Sequence, residues 1–418
     1  MTQTYPIRTI AADEFEALFK VSAEAFLETM RPEVLEHERK VAEYDRTIAA
    51  IDGDQLAGSG CAYSFRLTVP GGAVPAAGVS MIAVLPSHRR RGILTGLMDY
   101  LLADASRRRE PVAILFASES AIYRRFGYGL ASMHQRLTIG RGEGRLAPGT
   151  AVTGPGAPRL RAVAPRQAMP ELAKVLDTEL QRRPGMLARD DRWWSAILDD
   201  APAIRQPGMS KLRCLLAEDD QGPRGYALYR TQASWGLDNV AAGTLRLREL
   251  MAADPAATAA LWADLLSRDL VGEIVAPMRP MDDPLLAMMA DPRRARPSPA
   301  DGLWVRLVDL AAALTQRSYA ADADLVLDVI DPVINANAGR WRLRTPGWAA
   351  PGQASCERTG DAADLRLEAH ALGAAYLGGA SFGQLADAGH VAELTPGALG
   401  RLAAAMSWDR APYSGMMF

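Results

Sequence analysis

The sequence predicts an α/β protein that turns α+β toward its C-terminus, built as three successive domains. Three observations predict this. The chain has 418 residues, well past the roughly 250–300 residues at which a single core stops growing, so more than one core is expected. Its first part reads strand, basic glycine loop, helix, strand, helix, the order of an α/β unit. Two breaks punctuate the rest: a Gly/Pro-rich stretch from Arg141 to Pro158, and Pro292 to Pro299 with Arg293, Arg294 and Arg296 inside it. The expected segments are 1–145, 146–298 and 299–418.

The elements follow in chain order. Ala12 to Met30 carries Phe15, Leu18, Phe19, Ala23, Phe26 and Leu27 at helical spacing,. Strands are expected at Arg46–Ile51 and Ala57–Leu67, joined by the hairpin signal Asp52-Gly53,. After the turn Pro70-Gly71-Gly72, a strand from Ala77 to Leu85 runs into Pro86 and the polar loop Ser87-His88-Arg89-Arg90-Arg91-Gly92. Ile93 to Ala105 then shows Leu94, Leu97, Met98, Leu101, Leu102 and Ala105 on one helical face,. Val112–Ala117 is apolar throughout, a buried strand, and Ala121–Phe126 a short helix stopped by Gly127,.

In the second segment, Leu212–Ala217 and Gly225–Tyr229 form a strand pair around Asp219-Asp220-Gln221-Gly222. Leu245–Leu250 is a strand, and Ala253–Leu266 a helix opened by Asp254-Pro255. The third segment carries short strands at Leu303–Leu307, Leu325–Ile330, Trp341–Leu343 and Leu365–Leu367. Helices are expected at Ala371–Leu377, Phe382–Ala388 and Pro396–Met406. Two α/β regions in a row suggest a duplication in which only the first copy keeps the basic glycine loop.

Composition narrows the function. A net charge of −2 gives no global field for nucleic acid or an anionic membrane,. Cys61, Cys214 and Cys356 are odd in number and far apart, which argues against a disulfide framework and a thiolate metal site,. The five histidines are scattered without a metal-ligand pair, so no metal is expected,. Residues 1–8 lack a charged start followed by an apolar core, and no run of about 18 apolar residues occurs. Neither a signal peptide nor a membrane span is therefore expected, and the expected compartment is the cytoplasm,.

The loop Arg89-Arg90-Arg91-Gly92 between strand and helix is the chemically richest segment. Backbone N–H groups at a helix start carry partial positive charge and bind phosphate. Gly92 removes the side chain where a pyrophosphate must approach, and arginines add charge-assisted contacts,. The spacing matches neither nucleotide-hydrolase nor dinucleotide-binding glycine motifs. A solvated basic loop explains the same residues equally well. Downstream, Leu115-Phe-Ala-Ser118-Glu119-Ser-Ala-Ile-Tyr123-Arg-Arg-Phe126-Gly127-Tyr128 supplies a tyrosine that is either packed on its helix or a proton donor,.

Taken together, these two segments resemble the GNAT superfamily of N-acetyltransferases. The family's loop pattern Q/R-x-x-G-x-G/A is matched by Arg89–Leu94 except at its last position, and a tyrosine four residues before a glycine recurs in Tyr123–Gly127. The match is closer to the enhanced intracellular survival (Eis) acetyltransferases, through Pro86-Ser-His-Arg-Arg-Arg-Gly-Ile-Leu94 and Ala117-Ser-Glu119 with Ile122-Tyr-Arg-Arg-Phe-Gly-Tyr-Gly129. The resemblance implies tandem GNAT-like domains followed by a sterol-carrier-like domain that ends in a terminal Phe, with the catalytic unit in 1–145.

It also implies roles. Acetyl-CoA is the co-substrate. Backbone at Ile82, Ala83 and Val84 would pair with the pantetheine arm, and Arg90, Arg91, Gly92, Ile93, Leu94 and Thr95 would cradle the pyrophosphate. Ser118 and Glu119 would lie near the cofactor, Tyr123 would reprotonate the leaving CoA thiolate, and the α-carboxylate of Phe418 would be the base. Phe26 and Glu28 stand where the family places pocket residues, and Glu28 reads equally as an exposed helix carboxylate. The family often has an acidic residue beside the terminal Phe, where this chain has Met417. Trp193-Trp194 is read as core.

The implied acceptors are amines of aminoglycosides or other polyamines, with acetylation at several positions, in a homo-oligomer that is usually a hexamer. Two alternatives stay open: an acetyltransferase for another small amine or a protein lysine, and a non-catalytic CoA- or lipid-binding sensor.

Overall fold

The computed structural model describes residues 5–150, 156–202, 205–348 and 351–418. Residues 151–155 of the Gly/Pro stretch and 1–4 of the N-terminal segment lie outside the described residues. The chain divides into two compact units: Met1–Ser132 with Gly302–Pro412 and Met416–Phe418, and Met133–Asp301 with Tyr413–Gly415.

The first unit opens with β1 (Ile7–Thr9), α1 (Phe15–Ala25), α2 (Pro32–Arg39), β2 (Thr47–Asp52), β3 (Gln55–Val69), β4 (Gly72–Val84), α3 (Ile93–Arg107), β5 (Val112–Phe116), α4 (Ser120–Tyr123) and β6 (Gly129–Leu130). The helix expected over 12–30 ends early, at Ala25, and a second helix outside that range follows at Pro32–Arg39. Leu27 adopts φ +59°, and the Glu28 N–H closes back onto the Ala23 carbonyl at 2.8 Å, which ends α1,. Pro32 can only open a new helix, and it stands at its first turn,. Asp52-Gly53 turns β2 into β3, with Gly53 at φ +58°.

The second unit holds β7 (Met133–Gly140), β8 (Arg159–Val163), α5 (Met169–Leu180), α6 (Asp191–Ile197), β9 (Arg213–Asp219), β10 (Gly222–Gln232), β11 (Gly243–Ala252), α7 (Pro255–Leu266), β12 (Val271–Pro280), α8 (Pro284–Met288) and β13 (Ser298–Asp301). Its strands form one seven-stranded sheet in the order β13-β7-β12-β11-β10-β9-β8. Strand β7 lies before the expected boundary at 145 yet belongs to this sheet, because its partners are β12 and β13. Trp193 and Trp194 on α6 are buried, and the Arg189 guanidinium lies 4.9 Å from the Trp194 ring centre.

The rest of the first unit comprises β14 (Leu303–Leu307), α9 (Leu310–Thr315), β15 (Ala323–Ile330), β16 (Gly339–Thr345), β17 (Ser355–Arg358), β18 (Leu365–Glu368), α10 (Ala369–Ala375), α11 (Phe382–Asp387), β19 (Val391–Glu393) and α12 (Ala398–Met406). Five of these strands make a small sheet, β17-β16-β15-β18-β19. Strand β14 does not join it. It inserts antiparallel between β5 and β6, pairing Leu303 with Phe116 and Val305 with both Ile114 and Gly129. The first sheet therefore runs β1-β2-β3-β4-β5-β14-β6. Helix α3 packs Leu97, Met98, Leu101 and Leu102 into the core of this sheet. Each such side chain stabilises the fold by roughly 2 kcal/mol through burial.

Candidate active site

Two neighbouring parallel strands part in the middle of the first sheet. The ladder between β4 and β5 covers Ala76–Val112, Ala77–Ala113 and Gly78–Ile114, and it stops there while β4 continues to Val84. On its other edge β5 pairs with β14 along its whole length, from Val112–Leu307 to Phe116–Leu303. One edge of Val79–Val84 is thus left without a ladder partner on the β5 side, offering backbone N–H and C=O groups to an extended ligand. A bulge in the β3–β4 pairing, with Met81 at φ +52°, falls within this stretch, and the Ser59 hydroxyl donates to the Met81 carbonyl at 2.8 Å. Ile82 stands in the bulge with Met81, and Ala83 and Val84 lie just past it on the open edge.

The open edge leads into the Arg/Gly loop. A short 3-10 turn, Pro86–His88, carries the chain round, and His88 pins it: its ring bonds Asp52 at 3.0 Å and Ser87 at 2.8 Å. His88 is thus structural. Arg89, Arg90 and Arg91 are exposed, Arg90 at φ +64°, and Arg91 donates to the Tyr5 hydroxyl at 3.2 Å. Gly92 is the N-cap of α3 at φ +85°, with open space where a Cβ would stand. No side chain caps the helix, so its first-turn amides at Ile93, Leu94 and Thr95 face outward beside the guanidinium groups,.

The second unit contains the same strand–helix–strand step with the opposite chemistry. Strands β11 and β12 are parallel and flank α7. There the N-cap is Asp254, whose carboxylate accepts from the Ala257 N–H at 2.9 Å and pairs with Arg224 at 2.8 Å. A helix start already filled by a carboxylate does not attract phosphate, so of these two corresponding helix starts it is that of α3 that is open to an anion,.

Tyr123 ends α4 and is buried in the core that also takes in Ile82, Val84 and Ala117. Its hydroxyl is hydrogen-bonded to the Ser118 side chain, and burial raises its pKa above the usual phenol value. Ser118 and Glu119 are exposed at the end of β5. Below this turn Gly127 takes φ +82°, and the fully buried Arg306 guanidinium lies where its Cβ would be, paired with Asp331 at 2.7 Å.

Phe418 reaches the fork. Its ring lies 4.8 Å from that of Phe65, 5.5 Å from Phe116 and 6.3 Å from Tyr63. Gly78, the last residue of the β4–β5 ladder, makes the room for both rings: a Cβ there would stand 2.4 Å from the Phe65 ring and 3.1 Å from the Phe418 ring. Met417 is exposed. Phe26 and Glu28, at the end of α1, are exposed as well.

An acid that the sequence reading missed joins Glu28. Glu38 on α2 is partly buried, and its pKa is raised by burial, with the Glu28 charge adding to the effect against the opposing influence of His37. Its charge is felt at Cys61 and Tyr63, and Tyr63 touches Phe418. The missed signal was Pro32, which marks a new helix and fixes which residues of 32–39 face inward. Cys61 itself is no nucleophile: burial pushes its thiol up to about 12. A shallow groove of about 580 Å³ lined by Ser64, Phe65, Pro75 and Glu110 lies toward the end of β4 away from the Arg/Gly loop.

Comparisons with known proteins agree with this geometry. Residues 6–131 and 185–307 match acetyltransferase (GNAT) domain families, and residues 310–415 match a sterol carrier protein domain. The chain is 43% identical over 376 residues to an uncharacterized N-acetyltransferase of Streptomyces avermitilis, covering 89% of each chain. It is 33% identical over 406 residues to the N-acetyltransferase Eis of Mycobacterium tuberculosis, covering 95% of each. The crystal structure of Eis1 from Mycobacterium abscessus superposes with a TM-score of 0.84 at 33% identity, over 99% of this chain and 100% of that one. With tandem acetyltransferase domains, a sterol-carrier-like domain and this level of identity over nearly its whole length, the chain belongs to the Eis family of GNAT N-acetyltransferases.

Proposed function

We propose that the protein transfers an acetyl group from acetyl-CoA to amines of aminoglycosides or other polyamines. The observation that carries this reading is the forked β4–β5 pair, with the Arg/Gly loop at one end of the open edge and the Phe418 ring at the other. A pantetheine arm laid along Ile82–Val84 as an added strand would put its diphosphate at Arg90–Thr95 and its thioester toward the fork.

The residues then divide the chemistry. A neutral amine must attack the thioester carbonyl, the C–S bond breaks, and the proton lost by the amine must leave while the thiolate gains one. The α-carboxylate of Phe418, held by its caged ring, attracts the ammonium form and takes its proton through solvent. Tyr123 faces the leaving sulfur. A phenol whose pKa burial raises above the usual value gives its proton uphill to a thiolate, the conjugate base of a stronger acid,. Tyr123 therefore acts first as a hydrogen-bond donor to sulfur in the transition state, with full protonation coming after it.

Glu38 and Glu28 favour a cationic acceptor and supply the acidic character that Met417 lacks. The family resemblance also supports a cytoplasmic homo-hexamer; no helix among the described residues is long and apolar enough to cross a membrane.

The test is CoA release from acetyl-CoA with aminoglycosides, polyamines and lysine peptides, with product masses, for the wild type, Tyr123→Phe, and a chain extended past Phe418. Multiple acetyl additions on polycations, lost in both variants while acetyl-CoA still binds, are expected. Turnover only with lysine peptides would replace the acceptor class, and unchanged turnover in the extended chain would remove Phe418 from the mechanism.

A further inference from the structure

Just past Tyr123, a group of side chains gathers that acetyl transfer does not use. Glu368 ends β18, His370 lies in the first turn of α10, and His390 follows Gly389, the turn that ends α11. Backbone bonds fix this geometry: the Glu368 N–H donates to the His390 carbonyl at 3.2 Å, and the His390 N–H donates to the Leu385 carbonyl at 2.9 Å. Glu368 meets His370 Nδ1 at 3.0 Å and His390 Nδ1 at 4.0 Å, and the two imidazole centres are 4.7 Å apart.

Two features make this a cation site rather than a surface cluster. First, His370 is 7% exposed, and its Nε2 is buried with no hydrogen-bond partner. A buried ring nitrogen without a partner is costly unless something else binds it. Second, a cation already stands there. One guanidinium nitrogen of Arg124 lies 2.7 Å from Nδ1 and 2.6 Å from Nε2 of His390, and 3.9 Å from Glu368. A neutral imidazole has one acceptor nitrogen, so a single N–H group cannot satisfy both. Arg124 fills the place as a charge and leaves the donor set incompletely used.

We propose that Glu368, His370 and His390 bind a Zn²⁺ ion, which displaces the Arg124 guanidinium into solvent. Two imidazoles and one carboxylate are a zinc-type donor set that leaves a fourth position for water. One donor atom from each residue lies within 4.8 Å of the others. A tetrahedral ion with bonds of about 2.0–2.1 Å needs them about 3.4 Å apart. The closure is small, and the half-exposed Glu368 and Arg124 side chains are free to make it. Because Arg124 adjoins Tyr123, the ion would reorder the turn that carries the phenol.

The test uses the full-length protein without a histidine tag, stripped with chelator and titrated calorimetrically with Zn²⁺. Co²⁺ absorption reports tetrahedral geometry. One Zn²⁺ per chain is expected. His390→Ala and Glu368→Gln should each weaken binding by at least about tenfold, with metal-free circular dichroism unchanged. Arg124→Ala, an exposed change unlinked to folding, should tighten binding by removing the competing cation. Absence of saturable binding would overturn the proposal. So would binding that survives both His390→Ala and Glu368→Gln, or an Arg124→Ala affinity equal to wild type.

Discussion

Replacing Gly127 with alanine tests the support beneath the Tyr123 turn. Gly127 sits at φ +82°, where an L-residue costs roughly 1–2 kcal/mol,. A Cβ there would also stand 2.6 Å from Nη1, 2.7 Å from Cζ and 3.0 Å from Nε of Arg306. That guanidinium has little room to yield, since it is fully buried and bound to Asp331 through two contacts of 2.7 and 2.8 Å. Separating a buried pair costs about 3–5 kcal/mol, so the whole change should cost about 4–7 kcal/mol, a large part of a typical stability. Gly53→Ala is the internal control. Its φ is +58° and nothing lies within 4 Å of its Cβ position, so it should cost only the backbone share of about 1–2 kcal/mol,. Urea unfolding followed by circular dichroism measures both. If the two variants fell within about 0.5 kcal/mol of each other, Arg306 would not be braced against Gly127.

Gly92→Ala should weaken acetyl-CoA binding by about tenfold, through backbone strain and loss of close approach at the α3 N-terminus; a calorimetric Kd within twofold of wild type would remove the loop from the cofactor site. Glu38 makes a pH prediction. Its folded pKa lies above the unfolded value, so the stabilisation present below the unfolded pKa is lost as pH rises through the folded one,. A bound cationic amine should pull that pKa down and release a proton. Titration of a polyamine in two buffers of different ionisation enthalpy should detect the release in wild type and not in Glu38→Gln, and equal release in both would place the amine elsewhere.

Local chemistry is legible in the sequence. Leu303–Leu307 reads as a strand and is β14 at the same bounds, because an apolar-rich run between a glycine turn and an aspartate leaves little choice. Asp52-Gly53 and the Arg/Gly loop are likewise decided by residues adjacent in the chain. Partnership is not legible. Nothing within 303–307 says that its neighbours are Val112–Phe116 and Gly129–Leu130, and nothing within 133–140 says that it pairs with 271–280. The site divides the same way. The loop, Tyr123 and the open strand edge lie on one short stretch, whereas the room that Gly78 makes for Phe418 joins residues from opposite ends of the sequence. Glu38 escapes notice because a single helix over 12–30 gives no reason to orient residues 32–39.

The insertion of β14 sets a timetable for the nascent chain. Phe116 has left the peptidyl-transferase centre long before its partner Leu303 is made, with 303 − 116 = 187 residues still to be joined. At about 5–20 residues per second, the apolar edge of β5 waits roughly 10–40 s for its neighbour. During that interval Val112–Phe116 is an unprotected strand margin of the kind that chaperones hold and that aggregates recruit. The N-terminal domain is therefore not an autonomous cassette. A gene fragment ending before Leu303 would translate the loop and the tyrosine intact but leave the sheet beneath them unfinished. Any rearrangement that transplanted this catalytic unit to another gene would have to carry along a five-residue strand encoded more than five hundred bases downstream.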